Sequence, residues 1–214
     1  MKQHRLIKPV KNYTAIDKFI LKADKELSGF FKVSIEKPNI NFISSRKEIN
    51  RIWGMKTEKW FKAWLKNGNI YILDPEIYAK ESNYRTKHFW QILKHEYSHL
   101  YYKKLTGINY PKWLNEGLAC YFARQIRKKP SQEDSIKVFD YFRKSDWQIY
   151  DVGYFWVKLL IDVYGKNKIF KLLCLLNQNL NERKFGLIFN RVYEAKFTKN
   201  DLHCLYHLNN SKRH

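Results

Sequence analysis

The chain has 214 residues, of which 44% are hydrophobic and 17% aromatic, a composition that excludes a largely disordered protein and suffices for one domain with a sizeable core. The net charge is +21, from 41 Lys and Arg residues against 20 Asp and Glu residues. Such a charge favours acidic partners, such as nucleic acid or an anionic membrane surface. The basic residues are scattered, however, and no five are consecutive, so a compositional bias of the whole chain explains the charge as well.

The first 80 residues or so predict a small sheet backed by helices. The predicted elements are a helix over 12–28, a strand over 39–44, a helix over 45–54 and a strand over 69–74. The first helix is predicted from apolar residues at helical spacing, and the second has Ser44 or Ser45 as its N-cap. The second strand follows the turn signal Asn67-Gly68.

Helical patterns dominate the rest of the chain. The predicted helices cover 84–105, 113–128, 134–143, 151–164, 167–177, 183–193 and 198–208. A sheet followed by helices predicts an α+β fold, in which a small N-terminal sheet packs on helices and a helical C-terminal part follows. We expect a single domain over 1–214, with a sheet-containing part of about 1–105 and a helical part of about 106–214.

The cysteines and the apolar segments of the sequence predict the cellular compartment of the protein. Cys120, Cys174 and Cys204 are odd in number, far apart and without a Cys-x-x-Cys pair, which predicts a reducing compartment and no disulfide framework. The N-terminal segment has no apolar stretch of signal-peptide length, and no segment has the uncharged apolar length of a membrane span. We therefore expect a cytoplasmic monomer without a transmembrane segment, unless a signal was removed.

The sequence HEYSH, residues 95–99, lies within the predicted helix 84–105. His95 and His99 are four residues apart, so they lie on one face of that helix and can hold one Zn²⁺ from the same side. Glu96 points one position round, where it can touch a metal-bound water rather than the metal. An ordinary helix with two surface His residues and a Glu gives the same five-residue pattern. The choice between a zinc site and such a helix therefore depends on other parts of the chain.

A second stretch supplies a further ligand. Glu116 lies in PKWLNEGLACYF, residues 111–122, with 16 residues between it and His99. Two helices joined by a short connection tend to pack antiparallel, which turns Glu116 towards the face of the two His residues. Two His residues and one Glu form a recurring ligand set of catalytic zinc, which leaves the fourth position open to water.

These two stretches resemble the gluzincin metallopeptidases, the thermolysin-like clan, and WLNEGLA is very similar to the third-ligand helix of the aminopeptidase N-type family. The resemblance implies a zincin-like fold with His95, His99 and Glu116 as zinc ligands and Glu96 as the general base. Asn115 matches the Asn that precedes the third ligand, with a role beside the ligands. The spacing is two residues shorter than in that family, which favours the wider group of small peptidase-MA-like proteins.

The resemblance also implies a place for the substrate. In gluzincins the edge strand before the motif helix pairs with the substrate backbone, which corresponds here to about residues 68–73, with Asn69 and Tyr71 as substrate contacts. An ordinary core strand explains the same residues equally well. The Glu that binds a free amine in the aminopeptidase N-type family has no counterpart in WLKNGNIYIL, residues 64–73, so the resemblance implies endopeptidase action.

One tyrosine is a further candidate for a functional residue. YDVGYFWVKLL, residues 150–160, resembles the Tyr-x-x-Gly stretch of the clan, whose Tyr hydroxyl contacts the reacting carbonyl. Tyr150 takes that role, with Gly153 as the matching glycine and Tyr154 as the alternative. The chain has 15 tyrosines, most of which must be structural.

We therefore expect a zinc-dependent metallopeptidase that acts on peptides or proteins. The rival hypothesis is a basic, nucleic-acid-associated protein, or a protease that acts on DNA-bound proteins. The latter class uses a third His as ligand, whereas Glu116 stands at that position here.

Overall fold

A computed structural model describes residues 13–81 and 86–211, and within them the predicted α+β class is confirmed. The helices are α1 Tyr13–Phe31, α2 Arg46–Trp53, α3 Pro75–Glu81, α4 Thr86–Thr106, α5 Lys112–Phe122, α6 Gln132–Ser135, α7 Ile149–Tyr164, α8 Lys166–Cys174, α9 Glu182–Tyr193 and α10 Lys199–Ser211. The strands are β1 Ile40–Ile43, β2 Ala63–Lys66 and β3 Asn69–Leu73. The starts predicted for two helices, at residues 12 and 84, lie outside the described residues.

The three strands form one sheet in the order β1-β3-β2. Strand β3 is central, parallel to β1 and antiparallel to β2, and its Ile70, Ile72 and Leu73 are fully buried. Strands β2 and β3 form a hairpin whose two loop residues, Asn67 and Gly68, both have positive φ angles, the conformation for which Asn-Gly is preferred. The sequence prediction recognised this turn but missed β2, and it also missed α3.

Helix α1 covers one face of α4 and is joined to it by partly buried polar contacts. The Asp24 carboxylate accepts hydrogen bonds from the hydroxyls of Tyr97 (2.8 Å) and Tyr101, and Lys94 forms an ion pair with Glu26 at 2.6 Å. Both Tyr rings are buried. These contacts fix the rotation of α4 about its axis, so the opposite face of α4, with His95 and His99, points towards α5.

Helices α5 and α7 are in backbone contact. A Cβ atom on Gly117 would lie 2.2 Å from the carbonyl oxygen of Gly153, and one on Gly153 would lie 2.3 Å from the carbonyl oxygen of Trp113. No side chain fits at either position, so glycine at both permits this close crossing. Glu116 and Tyr150 each lie within one helical turn of the contact, so the crossing brings them to the same region.

Two predicted helices differ from those observed. The helix predicted over 113–128 ends at Phe122, because Arg124 adopts a left-handed conformation with φ 55° that no α-helix continues. The helix predicted over 134–143 is replaced by α6 and two short 3₁₀ turns, with non-helical angles at Tyr141. Aromatic residues are weak helix formers, and side-chain packing overrides the periodicity in this segment.

The described part of the chain contains no helix with the length and apolar character needed to cross a bilayer.

The glycine contact gives a stability prediction. Gly153→Ala places its Cβ against a backbone carbonyl that cannot rotate away, so we expect overpacking to cost about 1–3 kcal/mol and the melting temperature to fall by about 2–12 °C. Thermal unfolding followed by circular dichroism measures the effect.

Gly29→Ala is the matched control. Gly29 lies in α1, and no atom of another part of the chain lies within 4 Å of the position that an added Cβ would take, so the substitution is expected to stabilise the helix slightly. Equal melting temperatures for the two variants would contradict the packing argument.

Candidate metal centre and its cavity

Helices α4 and α5 bring His95, His99 and Glu116 together. Oε2 of Glu116 lies 3.1 Å from Nε2 of His95 and 3.5 Å from Nε2 of His99, and one ligand atom from each residue lies within 4.8 Å of the others. Ligands of a tetrahedral ion with bonds of about 2.1 Å are roughly 3.4 Å apart. The spacing of the three residues therefore fits a single metal ion.

The other nitrogen of each imidazole is held by a side-chain amide. Nδ1 of His99 lies 2.7 Å from Oδ1 of Asn115, and Nδ1 of His95 lies 3.0 Å from Oε1 of Gln125. The Asn115 amide is oriented by Nδ2, which donates to the backbone carbonyl of Asn109. Because an amide oxygen only accepts, each imidazole donates from Nδ1, which leaves the Nε2 atom that faces Glu116 to bind a proton or a metal.

This arrangement tests whether the residues fit a metal. With both imidazoles neutral, two lone pairs would face a carboxylate oxygen at 3.1 and 3.5 Å and repel it, so the cluster requires either a proton or a metal cation between these atoms. Hydrogen bonds from Nδ1 to a neighbouring acceptor are typical of metal-binding His residues. The donor set suits zinc, and imidazole and carboxylate also bind other divalent transition metals.

The electrostatics of the cluster favour a bound cation. Burial raises the pKa of Glu116, but the two imidazoles outweigh it and hold this pKa well below the usual range, so Glu116 is a carboxylate. Burial lowers the pKa of His95, but hydrogen bonding to Cys120 and Glu116 outweighs it and raises that pKa. The carboxylate therefore draws positive charge into the cluster, as a proton on His95 when no metal is bound.

A cavity of about 710 Å³ opens beside the cluster, and His95, Glu96 and Tyr150 line it. Burial raises the pKa of Glu96, which the imidazoles of His95 and His99 partly oppose. A carboxylate with a raised pKa that lines a cavity is suited to proton transfer.

Tyr150 lies beside the cluster as well. Its ring centre is 6.0 Å from that of His95. Burial, together with the negative charges of Glu116 and Glu96, raises the pKa of its hydroxyl, which therefore stays protonated and able to donate a hydrogen bond. Tyr154, the alternative, is not among the described residues that line the cavity.

One rim of the cavity is a loop held by Arg46. The Arg46 guanidinium donates to the backbone carbonyls of Glu58, Lys59 and Phe61 and to the hydroxyl of Thr57. This loop carries Trp60, whose side chain is 59% exposed and lines the cavity. The rim therefore has a fixed backbone path although it contains no regular secondary structure.

The strand that was expected to lie at the edge of the sheet, beside a substrate, is the central strand. Of the predicted residues 68–73, residues 69–73 form β3, which has both sides of its backbone paired, so it offers no edge to a peptide. Oδ1 of Asn69 accepts from the backbone N–H and side-chain amide of Asn39, and the Tyr71 ring stacks on Trp64. Neither Asn69 nor Tyr71 lines the cavity, within the residues described.

Sequence reasoning also missed residues that the structure brings to the site. Gln125 is one, because the helix predicted through 128 would have directed it elsewhere; no local pattern marks the left-handed turn at Arg124. The edge strand β2 is another, and the Asn67-Gly68 signal between AWLK and NIYIL was sufficient to find it.

Searches with this chain against protein-family models, curated proteins and solved structures found no match.

The amide contacts give a prediction about metal affinity. Asn115→Ala and Gln125→Ala each remove the acceptor that orients an imidazole, and we expect zinc affinity to fall about 10–100-fold. Competition with a chelating dye measures the dissociation constant, and melting curves of the metal-free variants check folding.

Asn190→Ala, at an exposed position on α9, serves as the control and should leave zinc affinity unchanged. If all three variants bound zinc as tightly as the wild type, the role of the two amides would be refuted.

Proposed function

We propose that the protein is a zinc-dependent metallopeptidase of the gluzincin type, a single domain of zincin-like fold that hydrolyses peptide bonds. The observation that supports this most is the convergence of Nε2 of His95, Nε2 of His99 and a carboxylate oxygen of Glu116, with both Nδ1 atoms held by amide oxygens. A cavity lined by Glu96 and Tyr150 adjoins the three ligands, so a substrate can reach them.

Each residue has a defined part in the proposed reaction. When bound, zinc lowers the pKa of water towards 7 and polarises the carbonyl of the substrate. Glu96 accepts the proton of the attacking water and passes it to the leaving amine, a contribution typically worth about 10²–10⁴ in rate. The Tyr150 hydroxyl donates a hydrogen bond to the oxygen on which negative charge develops.

The edge of β2 is our candidate for the backbone of the substrate. Strand β2 is at the edge of the sheet, and the segment 60–63 leading into it lines the cavity. An extended peptide can add to such an edge by main-chain hydrogen bonds, and this replaces the assignment of Asn69 and Tyr71. Glu96 is the one carboxylate among the described residues that line the cavity, and as the base it leaves no acid to bind a terminal ammonium. We therefore propose endopeptidase action.

The rival hypothesis, a nucleic-acid-associated protein or a protease acting on DNA-bound proteins, is supported by the net charge of +21 alone. It stays a prediction, and binding to mixed duplex DNA that persists at physiological salt would favour it.

The first test separates metal binding from chemistry. Glu96→Gln keeps the shape of the side chain and removes the base, so we expect one zinc per chain, as in the wild type, and an almost complete loss of turnover. Elemental analysis gives the metal content, and a proteomic cleavage screen identifies substrates. Metal-free wild-type protein from chelator-free preparations, or wild-type activity in Glu96→Gln, would refute the proposal.

The second test concerns the oxyanion. Tyr150→Phe removes the hydroxyl and keeps the ring, and loss of one such donor is expected to lower kcat about 10²–10³-fold, with KM and zinc content little changed.

Tyr154→Phe is the matched control, one turn further along α7, and should retain near wild-type kcat. The assignment is wrong if Tyr154→Phe is inactive while Tyr150→Phe turns over normally.

A further inference from the structure

Arg127 places a positive charge on the cavity wall next to the candidate metal centre. Its guanidinium carbon lies 5.1 Å from the ring centre of Tyr150, which is itself 6.0 Å from that of His95. The charge is thus separated from a metal ligand by a single aromatic ring. A substrate whose scissile bond lies at the metal centre would have its neighbouring residues within reach of Arg127.

The donors of Arg127 are largely unused by the protein. A guanidinium has five N–H donors. Among the described residues, Oε1 of Gln125 accepts from Nη2 at 3.3 Å, and Nε is buried without a hydrogen-bond partner. The Nε atom is too buried for a ligand to reach, so the donors open to a ligand are those on the two Nη atoms.

Arg127 also has no counterion within the described part of the chain. Asp151 is the nearby acid: burial raises its pKa and the charge of Arg127 partly opposes this, yet the two form no ion pair. A half-buried guanidinium with free donors and no carboxylate partner is suited to bind a carboxylate brought by a ligand, in the bidentate geometry that Arg prefers.

The remaining charges of the cavity agree with an anionic ligand. Arg124 and Lys87 are exposed and line the same cavity, whereas its one carboxylate among the described residues is Glu96. With a divalent metal bound, the charges of Glu96 and Glu116 are balanced, and the basic groups on the wall are not. The net charge of +21 attracts acidic molecules over a longer range.

We propose that the substrate carries a carboxylate close to the bond that is cleaved, and that Arg127 binds this carboxylate with help from Arg124. This inference rests on the proposed peptidase function and names the class of its substrates. An Asp or Glu side chain and a free C-terminus supply the same chemical group, and the experiment distinguishes them.

The experiment uses zinc-loaded wild-type protein and a proteome-derived peptide library, with one half amidated at its C-termini and the other half left free. Mass spectrometry of the products gives the residues that flank each cleaved bond. We expect Asp or Glu to be enriched at one flanking position in both halves. Cleavage confined to the free half, near the C-terminus, would assign the carboxylate to the chain end.

Variants then test Arg127 itself, using one cleaved acidic peptide and the same peptide with Gln in place of the acid. In Arg127→Gln we expect the ratio of kcat/KM for the acidic over the Gln peptide to fall about 10–100-fold, the range for a hydrogen-bonded charge. Arg127→Lys should retain part of the preference, and Arg127→Glu should favour a third peptide that carries Lys in place of the acid. Arg191→Gln, an exposed site on α9, is the control and should leave the ratio unchanged. Melting temperature and zinc content check that each variant folds.

The outcomes are separable. Cleavage by the wild type without an acid preference, or an Arg127→Gln variant that loses activity equally on both peptides, overturns this inference and leaves the peptidase function standing. Loss of duplex-DNA binding in Arg127→Gln, with no acid preference in cleavage, overturns it in favour of a nucleic-acid ligand. No cleavage of any peptide by the zinc-loaded wild type overturns the proposed function, and this inference with it.

Discussion

Where α5 crosses α7, Gly117 and Gly153 allow the two backbones to touch, and the geometry of the candidate site depends on this contact. A side chain at either position would push the helices apart. Glu116 is one residue from the contact on α5, and Tyr150 is three residues from it on α7. Separation of the helices would therefore move the candidate oxyanion donor away from the three candidate ligands, even if every polar residue were retained.

Contacts on both faces of α4 hold the cluster of His95, His99 and Glu116 in place. Asp24, through the hydroxyls of Tyr97 and Tyr101, connects α1 to the far face of α4, while Asn115 and Gln125 hold the imidazoles on the near face. Because buried polar groups without partners are costly, these contacts favour one orientation of each ring. The cluster is therefore preorganised: its ligand atoms converge without rearrangement of the helices.

Local patterns allowed the fold class and the shared face of His95 and His99 to be predicted, because helical periodicity and a four-residue spacing are properties of a single segment. The position of Glu116 was predicted from the short connection between two helices and from the resemblance of WLNEGLA. Non-local features escaped prediction. The order of the strands, which makes β3 central and β2 an edge, depends on pairing between segments that no single stretch reveals. Gln125 and Arg127 reach the cavity because the chain turns at Arg124, whose positive φ has no clear sequence signal in a non-glycine residue.

The backbone path of the loop held by Arg46 does not depend on the side chains that the loop carries. Arg46 binds three backbone carbonyl groups there, and every residue type offers such a group. Side chains such as Trp60 can therefore change while the path of the backbone is kept. Over evolutionary time, or in a library built by mutagenesis, this rim is a position at which side chains facing the cavity can diverge while the candidate metal-binding cluster stays the same.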